Sequence, residues 1–101
     1  MNKLFVYGIF LGKGMREAYG MTNPQYATVK DYITQGGQIV WAVPVDPEFG
    51  TALTGLLVDA DPNQWERLDA MEGAYDRVQV ITTNGDEAYM YVARKSRYER
   101  K

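Results

Sequence analysis

The chain has 101 residues, 46% hydrophobic and 24% charged, with a formal net charge of −2. That length fits one domain burying roughly 60–70% of its unfolded surface, and the composition excludes a wholly disordered chain. Cysteine and histidine are absent, which removes disulfides, thiolate nucleophiles, iron–sulfur clusters, Ser-His-Asp chemistry and the commonest zinc ligands.

Leu4 to Tyr7 is a short apolar run closed by Gly8, the pattern of a buried strand followed by a glycine loop. Gly12 to Gly20 has weak helical character around Met15-Arg16-Glu17-Ala18-Tyr19, and Asn23-Pro24 predicts a turn. Tyr26 to Ile33, rich in Tyr, Thr, Val and Ile, predicts a strand that Gly36-Gly37 ends. Gln38 to Val43 is the next strand, after which Pro44 and Pro47 force a loop. Leu53 to Val58 is apolar with Gly55 inside, which predicts a buried strand with a bulge or a close backbone approach.

Asp61-Pro62 opens a helix, with Asp61 as N-cap and Pro62 at the first helical position. Trp65, Leu68 and Met71 form its apolar face, assigned to the core, and Gly73 terminates it. Tyr75 to Thr82 and Glu87 to Ala93 read as two strands, and Asn84-Gly85 between them is a hairpin signal. This order predicts an α+β fold, a small mixed or antiparallel β-barrel with one or two flanking helices.

One domain is expected over residues 1–93, followed by a basic tail over 94–101. The tail holds five of the 11 basic residues and one acid, leaving twelve acids against six bases elsewhere. It reads as a solubilising terminus. An acidic body repels phosphates, so nucleic acid is not an expected partner. No apolar run approaches the ~20 residues that span a bilayer, and the N-terminal apolar stretch is too short for a signal peptide. The expected location is cytoplasmic, without a membrane partner.

Two stretches carry a family resemblance. Leu4-Phe5-Val6-Tyr7-Gly8-Ile9-Phe10 is similar to an N-terminal strand ending in Tyr-Gly-Thr-Leu. Leu68-Asp69-Ala70-Met71-Glu72-Gly73, followed by Tyr75-Asp76-Arg77, is similar to a Leu-Asp-x-x-Glu-Gly motif with Tyr-x-Arg after it. In this order, with Ala42-Val43-Pro44-Val45, Thr54-Gly55-Leu56-Leu57-Val58 and Ala88-Tyr89-Met90-Tyr91-Val92 in the matching places, residues 3 to 93 resemble the gamma-glutamylcyclotransferase-like superfamily, in particular its short avirulence-induced-like branch.

The resemblance implies a small β-barrel with a cavity, and cyclisation of a small-molecule gamma-glutamyl amine or amino acid to 5-oxoproline with release of a free amine. Glu72 falls on the family's general acid/base. Tyr7, Gly8, Ile9 and Phe10 fall on its substrate loop. Tyr75, read from its own place on the strand that follows the Glu-Gly turn, is expected to line the pocket beside Glu72. Ile9 stands where the family carries a small polar residue, and Phe10 where it carries Leu, so the side chains of the substrate loop are altered while its main-chain N–H groups remain.

A chain without His and Cys suits this reaction. One carboxylate can take the proton from the substrate's α-amine and return it to the leaving nitrogen, with no metal or cofactor required. Glu72 lies at the expected C-terminal end of its helix, where the helix dipole disfavours the anion by roughly 0.3–1 kcal/mol. Burial acts in the same direction. Tyr7 and Gly8 read equally as core and turn residues or as pocket residues. Ile9 and Phe10 read as packing side chains whose backbone amides are functional. Arg77 is expected in a surface ion pair with an acid, and Asp69 in a structural bond to a nearby main-chain amide. The alternatives to an enzyme are a binding module that keeps the cavity without the reaction, and an interaction protein using the basic tail.

Overall fold

The computed structural model describes residues 2–94. Strand β1 (Lys3–Val6) is followed by a 3-10 turn (Gly8–Leu11), helix α1 (Lys13–Ala18), and strands β2 (Thr22–Lys30), β3 (Tyr32–Gly36) and β4 (Val40–Pro44). A 3-10 turn (Pro47–Phe49) leads to β5 (Ala52–Asp59). Another (Pro62–Gln64) runs into helix α2 (Trp65–Met71), and β6 (Tyr75–Ile81) and β7 (Glu87–Ala93) close the order.

Five strands form a mixed sheet in the order β2-β5-β1-β7-β6. Only β1 and β7 run parallel within it; the other neighbours are antiparallel. The central strands are apolar at consecutive positions because both faces are covered. On β1, Leu4 and Val6 face a core shared with Phe10, Met21 and Leu68, whereas Phe5 joins Val29, Ala42 and Met90 on the other face. The β7 residues divide the same way, Met90 and Val92 to one core and Tyr91 to the other. Helices α1 and α2 thus cover one face, and the β3–β4 hairpin covers the other.

The expected α+β class with a mixed sheet is observed, but the sheets do not close into a barrel. β3 and β4 pair with each other as a separate two-stranded sheet. Among the described residues no ladder joins edge strands β2 and β6. The β6–β7 turn reaches β2 through one backbone bond, Thr83 N–H to the Thr28 carbonyl at 2.8 Å. The chain leaves the main sheet at Asp31, whose φ of 69° lies in the left-handed region that Asp tolerates. That break also divides the strand expected over Tyr26 to Ile33 into β2 and β3.

Asn23-Pro24 is no turn but part of β2. The register shifts between Thr22 and Gln25, and Asn23 takes φ 52°. Proline is accommodated here because β2 is an edge strand with a bulge. The expected close approach at Gly55 is present: a Cβ there would collide with the Val6 carbonyl and come 2.9 Å from the Phe5 ring. Asp61 caps its segment by accepting from the Asn63 N–H at 3.0 Å, although the first turn is 3-10 and the α-helix begins at Trp65. Leu68 is fully buried, whereas Met71 is 40% exposed and is not a core residue.

Among the described residues no helix is long and apolar enough to cross a membrane. Of the basic tail, only Arg94 falls within them, with Nε 3.6 Å from Asp76 Oδ1; the rest lies outside the described residues.

Candidate functional site

A cavity of about 680 Å³ opens between the end of β1, the Gly8–Leu11 turn, the β3–β4 turn and the end of α2. Its lining is Phe5, Val6, Tyr7, Gly8, Ile9, Phe10, Gln38, Ile39, Val40, Met71, Glu72, Tyr75 and Tyr91. The volume is within the range of small-molecule sites. All six residues singled out from the sequence, Tyr7, Gly8, Ile9, Phe10, Glu72 and Tyr75, therefore meet around one space. Buried Phe10 does not block it.

Glu72 caps α2. Its N–H donates to the Leu68 carbonyl and its own carbonyl accepts from Tyr75 N–H, both at 2.8 Å. The backbone is thus pinned on each side of the carboxyl. The side chain is half-buried, and burial pushes its pKa above the ordinary 4.5. Among the described residues no cation pairs with it. A carboxyl in this setting holds a proton more readily than a solvated one and can both take and return it.

Tyr7 is a latch. Its hydroxyl donates to the Tyr91 carbonyl at 2.5 Å and accepts from the Ala42 N–H at 2.9 Å, tying the end of β1 to β7 and β4. Burial raises its pKa far above the usual tyrosine range, outweighing the Ala42 bond, so the phenol stays neutral. At Gly8, φ is +65°, and a Cβ would lie 2.8 Å from Val40 Cγ2. Both the backbone conformation and the closeness of Val40 require glycine there.

Ile9 and Phe10 do not share one role. Phe10 is 3% exposed and meets the Tyr19 ring edge-on, with centroids 5.6 Å apart. Ile9 is 63% exposed and stands at the cavity mouth. The turn is held from behind by Arg16 of α1, whose Nη1 donates to the carbonyls of Phe10 at 3.1 Å and Leu11 at 2.6 Å.

Tyr91, Asp69 and Arg77 form a chain beside the cavity. Tyr91 Oη donates to Asp69 Oδ1 at 2.6 Å, and burial, then Asp69, raise the tyrosine pKa. Arg77 Nη2 lies 3.4 Å from Asp69 Oδ2. Its guanidinium sits 4.4 Å from the Trp65 ring centroid and 4.9 Å from that of Tyr89. Asp69 therefore bonds side chains, and the expected main-chain amide partner is corrected. Arg77 does pair with an acid, but it is stacked between rings with a buried, unpartnered Nη1 and does not line the cavity.

Sequence reasoning missed Tyr91, Arg16, the β3–β4 turn residues Gln38 and Ile39, and Val40 at the start of β4. For Tyr91 a signal existed: Tyr89 and Tyr91 alternate with buried Met90 and Val92, which puts both tyrosines on the helix-covered face. For the hairpin there was none, because its docking is non-local. Among the described residues no group of three or more carboxylates is placed to hold a metal ion.

The order of motifs and this geometry agree with a comparison by sequence family. A family model described as gamma-glutamyl cyclotransferase, AIG2-like, matches residues 4–101. The chain belongs to this family. No curated protein matches it. Similar solved structures include an uncharacterised protein of Pyrococcus horikoshii, 20% identical with a TM-score of 0.73, covering 92% of this chain and 78% of that one. A gamma-glutamyl cyclotransferase is 17% identical with a TM-score of 0.69, covering 91% and 66%. The Kluyveromyces lactis allophanate hydrolase is 13% identical with a TM-score of 0.76, covering 98% of this chain but 18% of that one. These likenesses show the fold.

Proposed function

We propose that residues 1–93 form a cyclotransferase that converts a gamma-glutamyl amine or gamma-glutamyl amino acid to 5-oxoproline and a free amine, with Glu72 as general acid/base. The observation that carries this reading is a half-buried carboxyl with a raised pKa, set without a described counter-charge in a cavity large enough for such a substrate.

The substrate's α-amine attacks its own side-chain carbonyl carbon. A C–N bond forms to close the five-membered ring, and the C–N bond to the leaving nitrogen breaks. Glu72 takes the proton from the attacking nitrogen and delivers it to the leaving one, so atoms balance without a co-reactant. Such proton transfer contributes typically 10²–10⁴-fold. The main-chain N–H groups of the Gly8–Phe10 turn are assigned to the glutamyl portion, and Tyr75 to the cavity wall beside Glu72. Tyr7 serves as wall and latch, since its hydroxyl proton is engaged by the Tyr91 carbonyl.

The test is release of 5-oxoproline from a panel of gamma-glutamyl amines and amino acids. Wild-type protein is expected to turn over at least one member. Glu72→Gln, which cannot accept the proton, is expected to fold and lose at least about 10²-fold in kcat. An undiminished rate in that variant would sink the assignment. One observation favours a second reading, a binding module without turnover: exposed Ile9 replaces the small polar residue of the resembled loop. That reading expects saturable binding and no product.

A further inference from the structure

The cavity differs between floor and mouth. Phe5, Val6, Phe10 and Tyr91 at its floor are buried. At the mouth, Ile9 is 63% exposed, Ile39 73% and Met71 40%. Single exposed apolar residues are ordinary on a protein surface. Here three of them come from separate places in the fold, the Gly8–Leu11 turn, the β3–β4 turn and the last residue of α2, and line one cavity. Exposed Gln38 is the polar member of this rim, which is otherwise apolar; a mainly apolar rim beside a ligand-sized cavity is a recognition surface for an apolar group.

Charge narrows the group further. Among the described residues lining the cavity, Glu72 is the only charged one. Arg77 is taken up by Asp69 and two aromatic rings and does not line it. Among the described lining residues, a leaving group with its own carboxylate would find no cation and would face the Glu72 carboxyl. A neutral alkyl or aryl group avoids both costs.

We infer that the leaving group is an apolar amine without a carboxylate, its alkyl or aryl portion seated against Ile9, Ile39 and Met71 at the cavity mouth. The inference rests on the cyclotransferase reading. In that reaction both nitrogens must reach Glu72, so the glutamyl portion is constant and occupies the interior. What lies beyond the leaving nitrogen is the variable part, and it runs toward the opening. Met71 and Glu72 line the same cavity, so apolar surface borders the space that the proton-transfer group faces.

The test is a series of gamma-glutamyl n-alkylamides from methyl to hexyl, together with gamma-glutamyl-norleucine and its carboxylate-free counterpart, gamma-glutamyl-pentylamide. On wild type, kcat/KM is expected to rise roughly two- to fourfold per methylene, the worth of a partly to fully buried CH₂. The pentylamide is expected to exceed the norleucine substrate at least tenfold. Ile39→Lys, at an exposed turn position, is expected to flatten the alkyl series and reverse the carboxylate discrimination. A flat wild-type series, or a preference for norleucine, overturns the inference. Calorimetric binding of the same series to Glu72→Gln separates this from failure of the reaction itself. Affinity that rises with chain length while wild type releases no 5-oxoproline overturns the cyclotransferase reading and keeps the apolar preference. Product with flat affinity and flat kcat/KM does the opposite.

Discussion

Replacing Tyr7 with Phe removes one oxygen and affects two buried backbone groups. The Ala42 N–H points at the Tyr7 hydroxyl, and Ala42 is 0% exposed, so water cannot take the lost acceptor's place. The Tyr91 carbonyl loses its donor at a residue that is itself buried. A buried group left without a partner costs about 1–3 kcal/mol. The carbonyl retains a second lone pair, so the two together are expected to cost about 2–4 kcal/mol. For a domain of this size, each kcal/mol lowers Tm by roughly 4–8 °C, so a fall of at least about 8 °C is expected. Urea denaturation of Tyr7→Phe beside wild type measures the loss, with the slope m showing whether the transition keeps its cooperativity. In the folded fraction, 5-oxoproline release is expected to stay within about tenfold of wild type, since acid–base transfer, worth ~10²–10⁴-fold, is assigned to Glu72. A stability change below ~0.5 kcal/mol, the size of an ordinary surface substitution, would refute the latch. A turnover loss as large as that of Glu72→Gln would instead make the hydroxyl a catalytic group.

Glu72→Gln is expected to gain thermal stability relative to wild type as pH rises. The folded pKa is raised, so the folded state binds the proton more tightly, and wild-type stability falls from about the ordinary 4.5 upward through the folded pKa. Melting curves at pH 4 and pH 7.5 should show the variant's advantage only at the higher value. In wild type, kcat/KM should rise with pH through the same raised pKa, and the rise should vanish in the Gln variant. Gly8→Ala should cost about 1–2 kcal/mol for the left-handed backbone alone. It should also raise KM more than it lowers kcat, because the new methyl displaces Val40 into the cavity. Tyr91→Phe should cost roughly 1.5–3 kcal/mol by removing the charge-assisted bond to Asp69. A double-mutant cycle with Asp69→Asn should show that the two losses are not additive.

Local chemistry determined much of this protein. Short apolar runs marked β1, β5 and β7, Asp61-Pro62 marked the start of the helical segment, and Asn84-Gly85 marked the hairpin. At each of these points the signal acts within a few residues: a cap accepts from the N–H two positions on, and Gly85 takes φ 88° inside its own turn. The Glu72-Gly73 end of α2 and the Tyr7-Gly8 turn were legible for the same reason; that their residues would line one cavity was implied by the family resemblance and not by local chemistry.

Tertiary structure decided how these pieces meet. Period alone cannot say whether a consecutive apolar strand closes a barrel or fills the middle of an open sheet covered on both faces; the excursion at Asp31 settles that by removing β3 and β4 from the ladder. Asn23-Pro24 became a bulge instead of a turn because β2 is an edge strand, and edge position is a property of the sheet. Met71 left the core because the β3–β4 turn and the Gly8–Leu11 turn leave a cavity beside it. Tyr91 entered the site, and Asp69 found side-chain partners, through contacts between α2, β6 and β7 that are distant in sequence. Residue types and their spacing set which groups are available for chemistry. Their burial, and hence the raised pKa of Glu72, comes only from packing among elements far apart along the chain.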